Sequence, residues 1–493
     1  MPTGAALKLY EALAADFTSL IEQGVLREGE RIPSVRQTAQ HHDLSVSTVI
    51  RAYLLLESRG LIESRPQSGY FVRPQRKLPV PAGREPVRPA EVARAPELDI
   101  GKLVLATLRS IRDGNSPFGS PYPDPDLFPS GRISQHMASI GRQHQWSLAA
   151  DLPPGNPELI RQIARRHLEN GMTVDAAEIL VTVGATEAIN LCLQAVAKAG
   201  DAIAVESPCY YAVLQAIARA GMRAVEIRAD AHLGIDLAAL ERAIEQERIA
   251  AAVVMPNFQN PLGFEMPEAR KRELVDLMHR HQLPLIENDV YHELYYGDSH
   301  PAALKCFDRD GLVLHCNSFS KSLTAAHRIG WTLPGRYRDK IEQLKFFNTL
   351  GTPALPQLAI AEYLQHDGYD LHLRRLRKHL AQQSRIMAAA IKRFFPSGTT
   401  VTEPAGGYLL WLGLPGGVKA LELYARAQER GISVGPGNMF ATGSAFQHNI
   451  RLNYSFPWTP GCEAAFKTLG LLVGELADRK ACAPHGDQAL ATD

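Results

Sequence analysis

One stretch divides this chain before any fold is assigned to it. From Pro74 to Asp99 it reads PQRKLPVPAGREPVRPAEVARAPELD, six prolines in 26 residues with no apolar period. Proline fixes φ and lacks a donor N–H, so such a run joins neither helix nor sheet and buries no core. It is expected to be an extended, semi-stiff linker. The chain must then fold as separate bodies on either side, and its 493 residues are in any case too many for one hydrophobic core. The expected division is a head over 1–73, the linker over 74–99, a large domain over 100–374, a smaller one over 375–480 and a flexible tail over 481–493.

Composition excludes several classes. With 45% hydrophobic and 21% charged residues the chain is ordinary for a globular protein. No apolar run approaches the roughly 20 residues of a membrane span. The start, MPTGAALKLYEALAADF, lacks a basic stretch followed by an apolar core, so no secretory leader is expected. Cys192, Cys209, Cys306, Cys316, Cys462 and Cys482 form no CxxC pair and read as reduced thiols of a cytoplasmic protein. Lys plus Arg (53) balance Asp plus Glu (52), so bulk charge says nothing for nucleic acid.

The head has helical periods. LYEALAADFTSLIEQG sets Leu9, Leu13, Phe17 and Leu20 on one apolar face, and Gly24 ends it. PSVRQTAQHH starts a second helix at its proline. SVSTVIRAYLLLESRG gives a third, with serines for an N-cap and Val49, Tyr53 and Leu56 facing inward. LIESRPQSGYFV then reads as two short strands around a tip. Three helices and a wing make a winged helix-turn-helix, whose third helix enters the DNA major groove.

On GERIPSVRQTA, LSVSTVIRAYLLLESRGLI and RPQSGYFV the head resembles the GntR family of bacterial regulators. The resemblance implies that Arg36, Ser47, Thr48, Arg65, Gly69 and Tyr70 approach a double-stranded DNA operator. The chain departs from the family at Val46, where a base-reading arginine is usual, and at Ile50, where a basic residue is common. Residues 1–73 hold eight Lys/Arg against eight Asp/Glu. Phosphate attraction must therefore come from uneven distribution, helped by Arg76, Lys77, Arg84, Arg88 and Arg94 of the linker. Val46 is free to touch a thymine methyl.

Beyond the linker, the runs EILVTVGA, DAIAVESP, AAVVMPN, PLIENDV and LVLHCNS alternate with helical stretches. Apolar runs without in–out alternation argue for a parallel sheet covered on both faces. YLLWLGL and NIRLNYSF, after a long helix from about residue 375, fit a smaller α+β domain. Within NSFSKSLTAAHRIGW, Lys321 lies among hydroxyls and seven residues before Arg328. A lysine used as a chemical handle needs a carbonyl partner, and pyridoxal phosphate is the usual one. Such a site also needs phosphate donors, a group at the ring nitrogen, a donor to the ring oxygen and an aromatic face. The glycine turn of TVGATEAINL offers N–H groups at Ala185 and Thr186. Tyr210 offers a ring, Asn260 an amide, and IENDVYHEL a carboxylate, an amide and a phenol. Ser318 and Arg328 suit a phosphate, and the fork of Arg451 suits a substrate carboxylate.

The order of these landmarks over about 120–475 resembles the fold-type I aminotransferases, in the branch fused to a GntR-like head, the MocR-type regulators. The resemblance implies a pyridoxal 5'-phosphate aldimine on Lys321, with phosphate held by Ser318, Arg328 and the 184–186 turn. It implies Asn260 and Tyr291 at the ring oxygen, Tyr210 stacked, and Arg451 on an amino-acid carboxylate. Three positions depart from the family. Asn288 stands where the ring-nitrogen carboxylate is usual, with Asp289 one place late. Strand alternation would turn Asp289 away unless a bulge turns it inward, so both remain candidates. Ala150 replaces a tyrosine lent to the partner's phosphate site, and Ala325-Ala326 replaces Pro-Gly. The expectation is a homodimeric transcriptional regulator that senses an amine or amino acid by aldimine exchange at Lys321, with weak or absent transaminase turnover. Two alternatives stay open: a working aminotransferase, and a regulator sensing pyridoxal phosphate itself.

Overall fold

The computed structural model describes residues 8–66, 68–74, 99–143 and 151–481. The chain separates into two compact units, 1–96 and 97–493. Most of the linker, its basic residues and Ala150 lie outside the described residues.

The head contains α1 (Leu9–Glu22), α2 (Val35–His41) and α3 (Val46–Ser58), then β1 (Ile62–Arg65) and β2 (Gly69–Val72). Ser34 caps α2 by accepting from the Gln37 N–H, and Ser45 caps α3 by accepting from that of Thr48. Pro33 thus precedes the second helix rather than starting it. Leu13, Phe17, Ile32, Val49, Tyr53, Leu56, Ile62 and Val72 form the core, each fully buried large side chain stabilising by roughly 1.5–3 kcal/mol. Leu9, expected on the inner face, is 66% exposed because it opens α1 and overhangs the core. Tyr53 is anchored through its hydroxyl, which donates to Pro33 O at 2.8 Å.

The second unit is built on an eight-stranded sheet. Its strands are β3 (Leu180–Thr182), β4 (Ala202–Ser207), β5 (Arg223–Asp230), β6 (Gly234–Ile235), β7 (Ile249–Val254), β8 (Leu285–Asn288), β9 (Val313–Ser318) and β10 (Gly330–Leu333). They lie in the order β3-β10-β9-β8-β7-β4-β5-β6. The stretch from β5 through β4, β7 and β8 to β9 is parallel, as the unbroken apolar runs require. The sheet as a whole is mixed, because two strands outside the five apolar runs run against their neighbours. β10 runs antiparallel between β3 and β9, and β6 antiparallel at the β5 edge. β10 returns directly from β9 through a short connection, and no crossover helix intervenes to make it parallel. The carboxyl ends of β7, β8 and β9 open on one edge, the usual place for a ligand in such sheets.

A helix of 26 residues, Tyr369–Phe394, leads to a four-stranded antiparallel sheet. Its strands are β11 (Thr400–Val401), β12 (Leu409–Gly413), β13 (Gly435–Pro436) and β14 (Asn449–Asn453), in the order β11-β12-β14-β13. Among the described residues no helix is long and apolar enough to cross a membrane.

Candidate functional site

Beyond β9, Lys321 enters a cavity lined by Tyr122, Tyr210, Asn260, Asn288, Tyr291, Ser318 and Arg328, with Ala185 and Thr186 at its floor. The helix Ala185–Val196 opens here at Gly184, whose φ of 78° is left-handed, and no side chain caps its free N–H groups. A Cβ on Gly184 would lie 2.7 Å from Arg328 Nη2, so only glycine lets the guanidinium settle against the helix N-terminus. That pairing of a guanidinium and uncapped N–H groups is chemically suited to an anion. Arg328 itself holds φ 53°, rare for a non-glycine residue, and its Nη1 donates to Ser320 Oγ at 3.4 Å.

Lys321 Nζ donates to Pro121 O at 2.9 Å and lies 4.5 Å from the centre of the Tyr122 ring. Burial, with the positive charges of Arg328 and Arg451 nearby, brings its pKa down to about 7. Burial also pushes Tyr291 up to about 12, so its phenol stays protonated and can donate. Its hydroxyl lies 3.5 Å from that of Tyr408, which in turn donates to Pro121 O at 2.9 Å.

β14 carries Arg451, fully buried, opposite Trp411 of β12. Nη2 of Arg451 donates to Gly119 O at 2.7 Å, and Nη1 to Asn260 Oδ1 at 3.4 Å. Its Nε has no partner among the described residues. Asn453, two positions on, donates to Ser120 O and Tyr122 O and so pins the 119–122 strap across the cavity.

The pleat at the end of β8 separates two neighbours. Asn288 lines the cavity, and its buried Oδ1 finds no partner among the described residues. Asp289 faces away, accepting from Asn257 Nδ2 at 2.8 Å in a second cavity lined by His167, His292, His300 and His315. No bulge turns it inward, so Asp289 falls out of the candidate cofactor residues. Burial raises its carboxyl to about 6.

The structure thus brings together Ala185, Thr186, Tyr210, Asn260, Asn288, Tyr291, Ser318, Lys321 and Arg328, with Arg451 joined through Asn260. Sequence reasoning missed Tyr122, Ser320 and Tyr408. The Gly119–Tyr122 strap, between Phe118 and a Pro/Asp turn, was the available signal for the first of these.

On the head, Arg36 and Ser47 are exposed, while Thr48 is half-buried with its hydroxyl 2.8 Å from that of Ser45. Arg65 pairs with Glu63 at 2.8 Å and covers the Phe71 ring. Gly69 lies under the Arg31 side chain. Tyr70, expected at the wing tip, packs edge-on against Tyr53 at 5.1 Å. Its ring therefore serves the core, because on this short wing it follows the turn and faces α3.

Comparison with known proteins agrees with both units. Residues 126–457 match the family model "Aminotransferase class I and II", and residues 9–72 match "Bacterial regulatory proteins, gntR family". The HTH-type transcriptional regulator YdcR of Escherichia coli (strain K12) is 41% identical over 472 residues, covering 95% of this chain and 100% of its own length. Among solved structures, the α-aminoadipate aminotransferase LysN of Thermus thermophilus, complexed with N-(5'-phosphopyridoxyl)-L-leucine, is 28% identical with a TM-score of 0.69. It covers 76% of this chain and 95% of its own. A multiple substrate aminotransferase of Thermococcus profundus shares the fold at a TM-score of 0.71 and 24% identity, covering 79% and 97%.

The fold and its cavity define an aminotransferase class I and II domain, a family that depends on pyridoxal phosphate. The chain belongs to the HTH-type transcriptional regulators in which that domain is fused to a GntR-type DNA-binding head, the MocR-type arrangement.

Proposed function

We propose that the aminotransferase-like domain holds pyridoxal phosphate at Lys321 and senses an amino acid or related amine, whose presence it reports to the DNA-binding head. One observation carries this reading. Among the described residues the cavity contains a lysine and an arginine but no carboxylate, and Arg451 stands close behind. Uncompensated buried cations are unfavourable unless an anion joins them, and this cavity offers two anion positions. The orphaned Asn288 Oδ1 and the glycine-only approach of Arg328 to the Ala185 and Thr186 N–H groups fit the ring nitrogen and the phosphate of that cofactor.

When bound, pyridoxal phosphate supplies an aldehyde for reversible condensation with primary amines and a ring that withdraws electrons. Lys321, half-deprotonated near neutral pH, offers the amine that holds it. Arg328, Ser318 and the helix N-terminus hold the phosphate, Tyr210 offers a ring face, and Asn260 and Tyr291 donate toward the ring oxygen. A carboxylate arriving at Arg451 competes with the neutral Gly119 carbonyl, and the charge-assisted bond is the stronger. Releasing Gly119 frees the strap that also occupies Lys321 through Pro121. Effector capture and strap movement are thereby linked, and a ligand that favours one strap arrangement shifts the population of both.

Asn288 favours sensing over turnover. A neutral amide stabilises a positive ring nitrogen less than a carboxylate does, which weakens the electron sink that transamination needs. Aminotransferase-fold proteins are commonly dimeric. Phe347 at 83% exposure and Leu350 at 63% support a homodimer here.

The test uses the purified full chain. With added pyridoxal phosphate it should gain a visible absorbance band that Lys321→Ala lacks. Amino acids should then change its affinity for duplex DNA in wild type but not in Arg451→Ala. DNA binding that responds to the cofactor alone would indicate that the cofactor is the effector. Amino-acid turnover at ordinary enzyme rates would indicate a working aminotransferase.

A further inference from the structure

The outer face of α3 is apolar. Val46 is 49% exposed, Ile50 40% and Leu54 53%, at i, i+4 and i+8. Spaced so, they form one stripe about 12 Å long at 1.5 Å per residue. The opposite face, Val49, Tyr53 and Leu56, already fills the core, so the stripe is surplus to folding the head. Around it the chain is polar, with charges of both signs. From Ser34 to Ser58 the charged residues are Arg36, Arg51, Asp43 and Glu57, so this helix pair with its turn is balanced, like the head as a whole.

In a helix-turn-helix the first turns of the second helix meet base edges in the major groove. That groove displays donors, acceptors and one apolar group, the thymine 5-methyl. Val46 and Ile50 occupy those first turns and have no hydrogen-bonding atom in their side chains. We infer that Val46 and Ile50 read thymine methyl groups, so that the operator half-site carries thymines under the start of α3 and is distinguished there by apolar contact. Arg36 and Ser47, both exposed, supply phosphate and polar contacts beside it. Leu54, a turn beyond Ile50, extends the stripe toward the edge of the groove.

This inference rests on the head binding duplex DNA, and its test separates the two. Full-length protein is used to select binding duplexes from a random library. Each thymine of a selected duplex is then replaced by deoxyuridine, which removes only the 5-methyl. Burying one such carbon is worth about a fourfold change in affinity. At the positions under α3, each replacement should therefore weaken wild-type binding by about that factor. Val46→Ala and Ile50→Ala should weaken binding to the thymine duplex, and deoxyuridine should then have little further effect. The salt dependence should stay the same, because no phosphate contact is touched. Selected duplexes that lose nothing with deoxyuridine, or that carry no thymine beneath α3, would overturn the thymine inference alone. Recovery of no duplex would overturn it together with DNA binding. Loss of self-association in Val46→Ser with Ile50→Ser, with DNA affinity unchanged, would assign the stripe to a second copy and overturn the inference too.

Discussion

Two buried cavities lie on either side of the end of β8, and adjacent residues divide them. The Lys321 cavity has two cations and, among the described residues, no carboxylate. The cavity behind it has Asp289 with four histidines, and its neighbouring charges are met by partners. His315 Nδ1 lies 2.9 Å from Glu287, whose carboxylate also accepts from the Leu304 and Lys305 N–H groups. Glu293 is clamped by Arg166 at 2.6 and 2.9 Å, which holds it well below the usual carboxylate range although burial opposes this. In that second cavity the carboxylates are paired within the protein, while His300 Nε2 and His315 Nε2 find no partner among the described residues. The Lys321 cavity differs in that Lys321 and Arg328 face no carboxylate among the described residues lining it. Buried polarity alone therefore does not mark a site; unmatched charge does.

The most severe way to break this contrast is to remove the handle. Lys321→Ala should abolish the cofactor's visible band and every amino-acid effect on DNA affinity, as absorbance and DNA titrations would show. Next comes Arg451→Ala, which should leave the band but weaken amino-acid affinity by about 30-fold or more, the usual scale for losing one partner of a buried charge pair. Its readout is spectroscopic titration with amino acids. Asn288→Asp makes the first cavity resemble the second by adding a carboxylate. It should shift the band and raise the rate of the half-reaction with amino acid by about tenfold, since one pKa unit is a factor of ten. An unchanged rate would remove Asn288 as the reason for weak turnover.

The pH dependence separates the cavities by sign. With Lys321 at about 7 in the fold and about 10.4 unfolded, the unfolded chain binds more protons between those values. Stability of the cofactor-free protein should therefore rise from pH 7 toward pH 10, less so in Lys321→Met, and cofactor loading should slow below pH 7. Asp289, raised to about 6, works oppositely: the fold binds more protons between about 3.9 and 6, so its contribution falls as pH rises through that range. The smallest effect is expected of Asp289→Asn. It should leave the band unchanged, alter stability by about 1 kcal/mol and flatten the pH 4–6 segment of the denaturation profile.

Much of this was legible in the chain. Local signals marked the head: serines before the third helical period, and Val49, Tyr53 and Leu56 at core spacing. The ordered landmarks from Gly184 to Arg328 reach one cavity because strand ends on the carboxyl edge of the sheet gather there, while Arg451 comes from β14 of the second sheet. What escaped depended on contacts distant in sequence. Tyr408 and Pro121 meet across 287 residues, and nothing near either announces the other. Leu9 and Tyr70 were misplaced because periodicity tells which side a residue takes, and not whether a neighbour covers it.

The sequence by itself determined the presence of a small helical head before a larger α/β unit, the element types and most of the side chains that meet around Lys321. These follow from backbone chemistry and side-chain type, which act locally. Only the tertiary structure decided that Asn288 rather than Asp289 faces Lys321, that the strap engages both Lys321 and Arg451, and that β10 runs against its neighbours. Those outcomes depend on which distant groups compete for the same buried space, and long-range packing is where that competition is resolved.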